Sequence, residues 1–272
     1  MALTMLGHMF SALPQLRMQP TQKRIRVLSG GELVADTTRA ALVWEPRRIL
    51  AQYAVPVDDL LVPYENTADA SPPPPKDEVR MGDGPSVLAP GNFRLHTTSG
   101  QELTIGTGDR ALIGAGFRPT DPDLADYVVL DWDAFDTWLE EEERLFAHPR
   151  DPFHRVDVRT STRKVRISAN GVLLAESTTP TLVFETGLPT RYYLPRTDVV
   201  ADLVPAVKTT ECAYKGEASY YSVGDLTDIA WTYEQPLWDC PGIQGLVAFF
   251  TERQVDLELD GVPIERPITP WS

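Results

Sequence analysis

The chain repeats itself at a fixed interval, and this repeat constrains its fold more than any other feature. Residues 24–45 (RIRVLSGGELVADTTRAALVWE) align without a gap on residues 164–185 (KVRISANGVLLAESTTPTLVFE), so one constant offset relates the two copies. The matched pairs, continued at the same offset, include Arg26 and Arg166, Gly31 and Gly171, Glu45 and Glu185, Tyr53 and Tyr193, Asp58 and Asp198. Identity of this order indicates an internal duplication, and therefore two tandem domains of similar fold.

Each copy opens with a strand–turn–strand pattern. Gly-Gly in the first copy and Asn-Gly in the second tolerate the positive φ that a tight hairpin turn requires. Short apolar segments continue at close spacing toward the C-terminus, and the 24 prolines disfavour a helical bundle. We therefore expect an all-β (mainly β) protein.

The domain boundaries follow from the repeat. Residues 1–22 lack the basic start and apolar core of a signal peptide, and we expect a flexible N-terminal extension. The first repeat is assigned to residues 23–147 and the second to residues 148–272. Residues 65–86 form a proline-rich insertion with four consecutive prolines, which is typical of a mobile loop.

Composition excludes several classes of function. The formal net charge is -14, whereas nucleic acids and anionic membranes require a basic surface. Apolar runs are too short to span a membrane, so we expect a cytoplasmic protein with neither nucleic-acid nor membrane partners. The two cysteines, Cys212 and Cys240, form no CxxC pair, so we predict no metal site and no cofactor. A disulfide between them is conceivable, and a homo-oligomer is left open.

The segment ECAYKGEASYYSV, residues 211–223, is the best candidate for a binding site. Lys215 is one of five lysines in a chain with twenty arginines. On a strand, Cys212 and Tyr214 point the same way, and Gly216 permits a bulge that turns Lys215 inward. A buried lysine suits an anion clamp, a general base or a Schiff base. The alternative is an exposed lysine stacked on tyrosine rings.

The same segment of the first repeat keeps the glycine and changes the polar residues. Aligned on that glycine, Ser99 stands in place of Lys215 and His96 in place of Cys212. Residues required only for folding should persist in both copies. We therefore predict that the second repeat carries the site and that the first is a degenerate copy.

Neighbouring residues complete the predicted site. Glu185 ends an apolar strand and could act as a general base, although the matching Glu45 also fits a structural role. Arg191, with Ala51 at the same offset, would suit a carboxylate or phosphate together with Lys215. The candidate catalytic residues are Lys215, Cys212 and Glu185, and the candidate ligand-binding residues are Arg191, Tyr193, Tyr214, Gly216, Tyr221, Trp231 and Tyr233.

Two of these assignments have a competing interpretation. Cys212 is either a small buried hydrophobe or a thiolate stabilised by Lys215. Trp231 and Tyr233 share one face of a strand, and they either join the core or form the floor of a groove. His148 and His154 lie in a proline-rich junction, and whether they contribute to the site is open.

The motifs of the second repeat resemble a known family. RYYLPRTDV, YKGEASY, AWTYEQP and VDLELDG are similar to domain-of-unknown-function family 427, and the chain from about residue 23 resembles its tandem bacterial form. The resemblance implies a β-tent fold, in which two antiparallel sheets meet at an angle around a groove. Several β-tent proteins bind zinc through CxxC pairs, which are missing here. The family is also classed as nucleotidyltransferase-like. The matching feature is Asp131-x-Asp133, which a solvated edge strand explains as well.

These observations lead to one functional expectation and two alternatives. We expect the second repeat to bind a small anionic or planar metabolite in an aromatic groove, with or without Lys-assisted or acid/base catalysis. Whether the protein is an enzyme is open. The first alternative is a protein-interaction module without catalytic activity, and the weaker one is a nucleotidyltransferase-like enzyme. Burial of Lys215 and Arg191 around one concave pocket would favour the binding site.

Overall fold

The computed structural model describes residues 2–68, 78–80, 84–89 and 91–269. The chain forms two compact units, with the main division between Asp151 and Pro152. Both units consist mainly of antiparallel strands, which confirms the mainly β prediction. Much of the proline-rich insertion predicted at residues 65–86 lies outside the described residues. Within the described part, no helix is both long and apolar enough to cross a membrane.

The first unit is built around one large sheet and one smaller sheet. Its elements are α1 (Met5–Ser11), β1 (Arg17–Pro20), β2 (Ile25–Ser29), β3 (Glu32–Thr37), β4 (Ala41–Trp44), β5 (Gln52–Pro56), β6 (Tyr64–Asn66), β7 (Glu78–Val79), β8 (Val87–Leu88), β9 (Gly100–Ile105), β10 (Leu112–Pro119), β11 (Tyr127–Leu130), β12 (Thr137–Glu140) and β13 (Glu143–Arg144). The large sheet has the order β1-β4-β5-β11-β10-β9-β6, the smaller one β13-β12-β2-β3, and β7 pairs with β8.

The second unit contains three smaller sheets. Its strands are β14 (Val156–Thr160), β15 (Val165–Ala169), β16 (Val172–Ser177), β17 (Thr181–Glu185), β18 (Arg191–Tyr193), β19 (Val204–Cys212), β20 (Gly216–Val223), β21 (Leu226–Thr232), β22 (Val247–Phe249), β23 (Asp256–Leu259) and β24 (Val262–Ile264). The orders are β14-β17-β18, β16-β15-β23-β24 and β19-β20-β21-β22. A single apolar core draws side chains from all three sheets.

The opening hairpins of the two units are built alike. Ile25 pairs with Thr37 in the first, and Val165 pairs with Ser177 in the second, which is the same register at the offset found in the sequence. Each hairpin has a bulge at the matching position, directly after Val27 in one and Ile167 in the other. The hairpins agree with the predicted repeat, whose origin by duplication stays a prediction from the sequence.

The gapless alignment is wrong beyond Glu45 and Glu185. Ala41 pairs with Ala54 in the first unit. Thr181, the residue aligned with Ala41, pairs with Tyr193, which is one residue earlier than the constant offset between the repeats predicts. Tyr193 therefore corresponds to Ala54, not to Tyr53. The cause is a shorter connection in the second unit. Eight residues separate the paired Val43 and Gln52 in the first unit, and seven separate the paired Val183 and Arg191 in the second.

The same shift corrects two other sequence matches. Short 3₁₀ turns follow Pro56 and Pro195 at residues 57–59 and 196–198. Asp198 thus corresponds to Asp59, not to Asp58. Arg191 likewise corresponds to Gln52 and not to Ala51, since each opens the fourth strand of its repeat.

The predicted flexible extension is partly an ordered strand. β1 pairs with β4, with Arg17 opposite Trp44, and β14 pairs with β17, with Asp157 opposite Phe184. Arg17 and Asp157 are separated by the same number of residues as Trp44 and Phe184, and this is also the offset between the opening hairpins. β1 is therefore the counterpart of β14. The first repeat therefore begins before residue 23. The sequence of β1, RMQP, has no apolar alternation that would have revealed a strand.

Candidate functional site

Three ionisable side chains of the second unit meet at the end of β17. Glu185 Oε2 accepts a hydrogen bond from Lys215 Nζ at 2.5 Å, and Glu185 Oε1 lies 3.1 Å from His154 Nε2. The exposed fraction of the side chain is 6% for Glu185, 10% for Lys215 and 20% for His154. One carboxylate therefore holds a cation and an imidazole together, with the imidazole nearest to solvent.

Local backbone structure places each of these residues. Glu185 pairs with Val156 at the end of the β14–β17 ladder, and the hydrogen bond from Thr186 N to Arg155 O (3.0 Å) extends this pairing toward His154. Lys215 lies in the turn that joins β19 to β20. The next residue, Gly216, has a φ of 92°, a left-handed conformation that favours glycine. The predicted inward turn of Lys215 at Gly216 is therefore present.

The charges in this cluster stabilise one another. Burial alone would raise the pKa of Glu185, but the hydrogen bond from His154 and the charge of Lys215 lower it to about 2. Burial would lower the pKa of Lys215, but the charges of Cys212 and Glu185 outweigh burial and raise it. At neutral pH the glutamate is therefore an anion and the lysine a cation.

Tyr214 forms one side of the cluster. Its ring is stacked on the imidazole of His154, with 4.6 Å between the ring centroids and 26° between the planes. His154 Nε2 faces Glu185, while the described structure records no hydrogen bond to His154 Nδ1. A partly exposed imidazole, held by a carboxylate on one nitrogen and open on the other, can accept or donate a proton.

Arg191 and Lys215 are both buried, but each is paired with its own carboxylate. Arg191 donates two hydrogen bonds to Glu252, at 2.7 and 2.6 Å, and Glu252 has a side-chain exposure of 0%. Thr269 Oγ1 donates a third hydrogen bond to Glu252, and the guanidinium lies 5.4 Å from the ring centroid of Trp231. This pair neutralises Arg191 within the core of the unit.

The predicted aromatic residues lie in the core. Tyr193, Tyr221, Trp231 and Tyr233 all belong to the buried apolar cluster of the second unit. Trp231 Nε1 donates to the Tyr193 hydroxyl at 3.1 Å, and burial raises the pKa of both Tyr193 and Tyr233. Of the two interpretations of Trp231 and Tyr233, core packing is therefore the one that agrees with the structure, and the floor of a groove is not.

Both cysteines are free thiols, so the conceivable disulfide is absent. Cys212 is partly buried at the end of β19. Cys240 is fully buried, and burial raises the pKa of its thiol to about 12. Among the described residues, no group of three or more histidine, cysteine, aspartate or glutamate side chains could hold a metal ion.

The first unit has a polar cluster of its own around Glu45, so it has not simply lost the polar residues that the second repeat carries. Glu45 Oε1 accepts hydrogen bonds from Thr97 N at 2.9 Å and from Thr98 N at 3.2 Å. Glu45 Oε2 lies 3.1 Å from His96 Nδ1 and 3.8 Å from Arg48 Nε. Arg48 in turn donates to the carbonyl of Leu95 at 2.7 Å. Glu45 and Arg48 together hold the backbone of the segment that leads into β9.

Asp131 and Asp133 lie in a 3₁₀ turn, not on an edge strand. The Asp131 side chain accepts a hydrogen bond from Asp133 N at 3.1 Å and caps the turn at residues 132–134. Burial raises the pKa of Asp131 to about 6. The charge of Asp133 acts in the same direction, whereas the hydrogen bond from Asp133 N acts against it. The structure thus gives Asp131 a capping role.

The sequence left one functional neighbour open and missed another. His154 was an open candidate because it precedes the gapless match that begins at residue 164, and the residue at the same offset in the first unit is Pro14. Glu252 follows β22 in a short turn and lies 61 residues from Arg191, with no motif that links the two.

Residues 157–261 match the family described as Domain of unknown function (DUF427). This stretch runs from β14 to the end of β23 and contains Glu185 and Lys215, whereas His154 lies just before it. No curated protein matches the chain.

Proposed function

We propose that the second half of the chain, a domain of the DUF427 family, binds a small anionic and partly planar molecule beside His154, Tyr214 and Lys215. In this proposal His154 and Glu185 form an acid/base pair that exchanges a proton with the bound molecule. Lys215 holds Glu185 in its ionised form and adds positive charge beside it.

One observation carries this proposal: the aligned glutamates of the two units, Glu45 and Glu185, have different hydrogen-bond partners. Glu45 also lies beside a histidine and a cation, His96 and Arg48. Its Oε1, however, accepts hydrogen bonds from the backbone amides of Thr97 and Thr98, so this carboxylate completes a folded segment. The Glu185 side chain accepts hydrogen bonds only from His154 and Lys215 in the described structure, and both can ionise. A carboxylate that holds a base and a cation instead of backbone is typical of a reactive site.

The charges favour acid/base chemistry over lysine nucleophilicity. A Schiff base or a general base at Lys215 would require the neutral amine, and the raised pKa of Lys215 keeps it protonated. His154 is the more exposed member of the cluster, and its second ring nitrogen is open. A carboxylate that fixes the ring of a histidine in this way is the usual arrangement for a general acid or base.

The charges of the site support a ligand that is an anion. Glu185 and Lys215 cancel, so protonation of His154 leaves the cluster with one positive charge. An anion would then be attracted to the partly exposed imidazole, while the stacked ring of Tyr214 provides an apolar surface beside it.

A protein-interaction module remains a second candidate because of one exposed strand. β19 lies at the edge of its sheet, and its Val204 and Val207 are 53% and 102% exposed. An open edge with exposed β-branched residues can pair with a strand of another protein. In this case the polar cluster would be dispensable for binding.

A thermal-shift screen with carboxylates, phosphate and nucleotides would test the proposal. We expect that at least one anion raises the melting temperature of the wild type and has little effect on His154→Gln. His148→Gln serves as the matched control because His148 belongs to the first unit, where its Nδ1 lies 2.8 Å from Pro149 O, and it should respond like the wild type. If no anion acts, or if His154→Gln responds equally, the proposed site is wrong and the interaction module is favoured.

A further inference from the structure

Trp238 is held in solvent next to the candidate site. It lies in the segment between β21 and β22, and 90% of its surface is exposed. Trp44, Trp138 and Trp231 are each at most 6% exposed. A ring exposed to this degree contributes little to the core, and its faces remain available to contact a ligand.

The exposure of Trp238 does not arise from a loose segment. The preceding residue, Leu237, donates its backbone N–H to Lys215 O at 3.1 Å. On the other side of Trp238, Cys240 N donates to Leu237 O at 2.9 Å, and the Cys240 side chain is fully buried. The backbone is thus fixed against the turn that carries Lys215 and Tyr214, while the indole ring points away from the core.

We propose that Trp238 stacks on the planar part of the ligand and determines the specificity of this site for aromatic anions. The inference rests on the proposed function and extends it by naming the ligand class. One hydrogen bond links the backbone beside Trp238 to Lys215, and the adjacent Tyr214 ring stacks on His154. An aromatic acid could place its carboxylate by His154 while its ring contacts the indole.

Two acids of equal charge and similar size separate stacking from charge attraction. Benzoate has a flat ring, whereas cyclohexanecarboxylate has a puckered one that cannot stack face to face. Binding of each acid to the full chain would be measured by titration calorimetry. In the proteins that keep His154, the NMR signal of that ring would also be followed. The proteins are the wild type, Trp238→Ala, Trp238→Phe and His154→Gln.

We expect the wild type to prefer benzoate roughly three- to tenfold, the size of an aromatic pair contact. Trp238→Ala should remove this preference by weakening benzoate more than cyclohexanecarboxylate. Trp238→Phe should retain part of the preference because it keeps an aromatic ring. His154→Gln should weaken both acids alike.

Other outcomes distinguish the two proposals. If Trp238→Ala keeps the benzoate preference and His154→Gln still weakens both acids, Trp238 is not the specificity residue and the proposed function stands. If neither acid shifts the His154 signal, both proposals are overturned. Sedimentation of the same proteins adds one further outcome: a dimer that Trp238→Ala converts to a monomer would make Trp238 a contact between two copies and overturn the ligand role.

Discussion

Lys215 Nζ lies 2.5 Å from Glu185 Oε2, and the two side chains are 10% and 6% exposed. Removing two charges from water is costly, and their mutual attraction offsets that cost only while both partners are present. Each residue is therefore far more important to the stability of the second unit than an exposed ion pair would be.

Lys215→Met tests this dependence. The substitution leaves Glu185 buried with His154 as its remaining side-chain partner, and we expect a loss of roughly 3–5 kcal/mol in the free energy of unfolding. Urea denaturation of the full chain would measure it. The double variant Lys215→Met with Glu185→Gln should lose less than the sum of the two single losses.

Lys208→Met is the matched control for that experiment. Lys208 lies 3.7 Å from Asp228 with 41% of its side chain exposed, and such pairs contribute about 1 kcal/mol or less. Equal losses for the two lysine variants would show that the Lys215–Glu185 pair has no special stabilising role.

The low pKa of Glu185 predicts a stability change in acid. The pKa of Glu185 is about 2 in the folded protein and 4.5 for an ordinary glutamate, so the unfolded chain binds the proton more tightly than the folded protein does. The stabilising contribution is complete above about pH 4.5 and is lost as the pH falls toward 2, with a total of roughly 3 kcal/mol. Unfolding of wild type and Glu185→Gln between pH 6 and 2 would measure it. The two proteins should converge in acid, and parallel pH curves would contradict the prediction.

The sequence predicted the local features of the fold well because turn chemistry is local. Gly31 and Gly171 both have positive φ in the turns of their hairpins. The burial of Lys215 beside Glu185 was also within reach, since a glycine that allows a left-handed turn and a scarce lysine lie next to each other.

Features that depend on distant contacts were beyond a sequence comparison. The shift of one residue after Glu45 depends on the register of β4 with β5, which no gapless alignment can show. The partner of Arg191 is Glu252, on a turn 61 residues away. The role of His154 depends on how the segment before β14 continues its pairing with β17.

The raised pKa of Asp131 predicts that the stability of the first unit depends on pH in the opposite direction. Burial raises its folded pKa from 3.8 to about 6, so the folded state binds the proton more tightly. The resulting stabilisation is complete below about pH 3.8 and is lost as the pH rises through 6. Asp131→Asn keeps an acceptor for the Asp133 amide and removes the buried charge. We expect this variant to be about 3 kcal/mol more stable than the wild type at pH 8 and nearly equal to it near pH 4.

Asp133→Asn is the control for that comparison. Asp133 is exposed in the same 3₁₀ turn, so its substitution should have a smaller effect. Calorimetry of the three proteins at pH 4, 6 and 8 would measure the differences. A gain for Asp131→Asn that is the same at every pH would argue that the raised pKa is not its cause.

Two N-terminal truncations would locate the start of the first repeat. Helix α1 has no buried residue, so removal of residues 2–11 should leave the melting temperature nearly unchanged. Removal of residues 2–21 also deletes β1, which pairs with β4 over four residues, from Arg17 opposite Trp44 to Pro20 opposite Ala41. It further deletes the Arg17 side chain, whose Nη2 donates to Arg48 O at 2.7 Å.

The longer truncation should therefore lose about 3 kcal/mol or more, because it exposes the edge of β4 and leaves its backbone groups without partners. Arg17→Met, which keeps the strand and removes only the guanidinium, should give an intermediate loss. Thermal unfolding of the full chain and the three variants would rank them. If both truncations are as stable as the full chain, β1 contributes nothing to the first unit, and the flexible extension predicted for residues 1–22 describes the protein better.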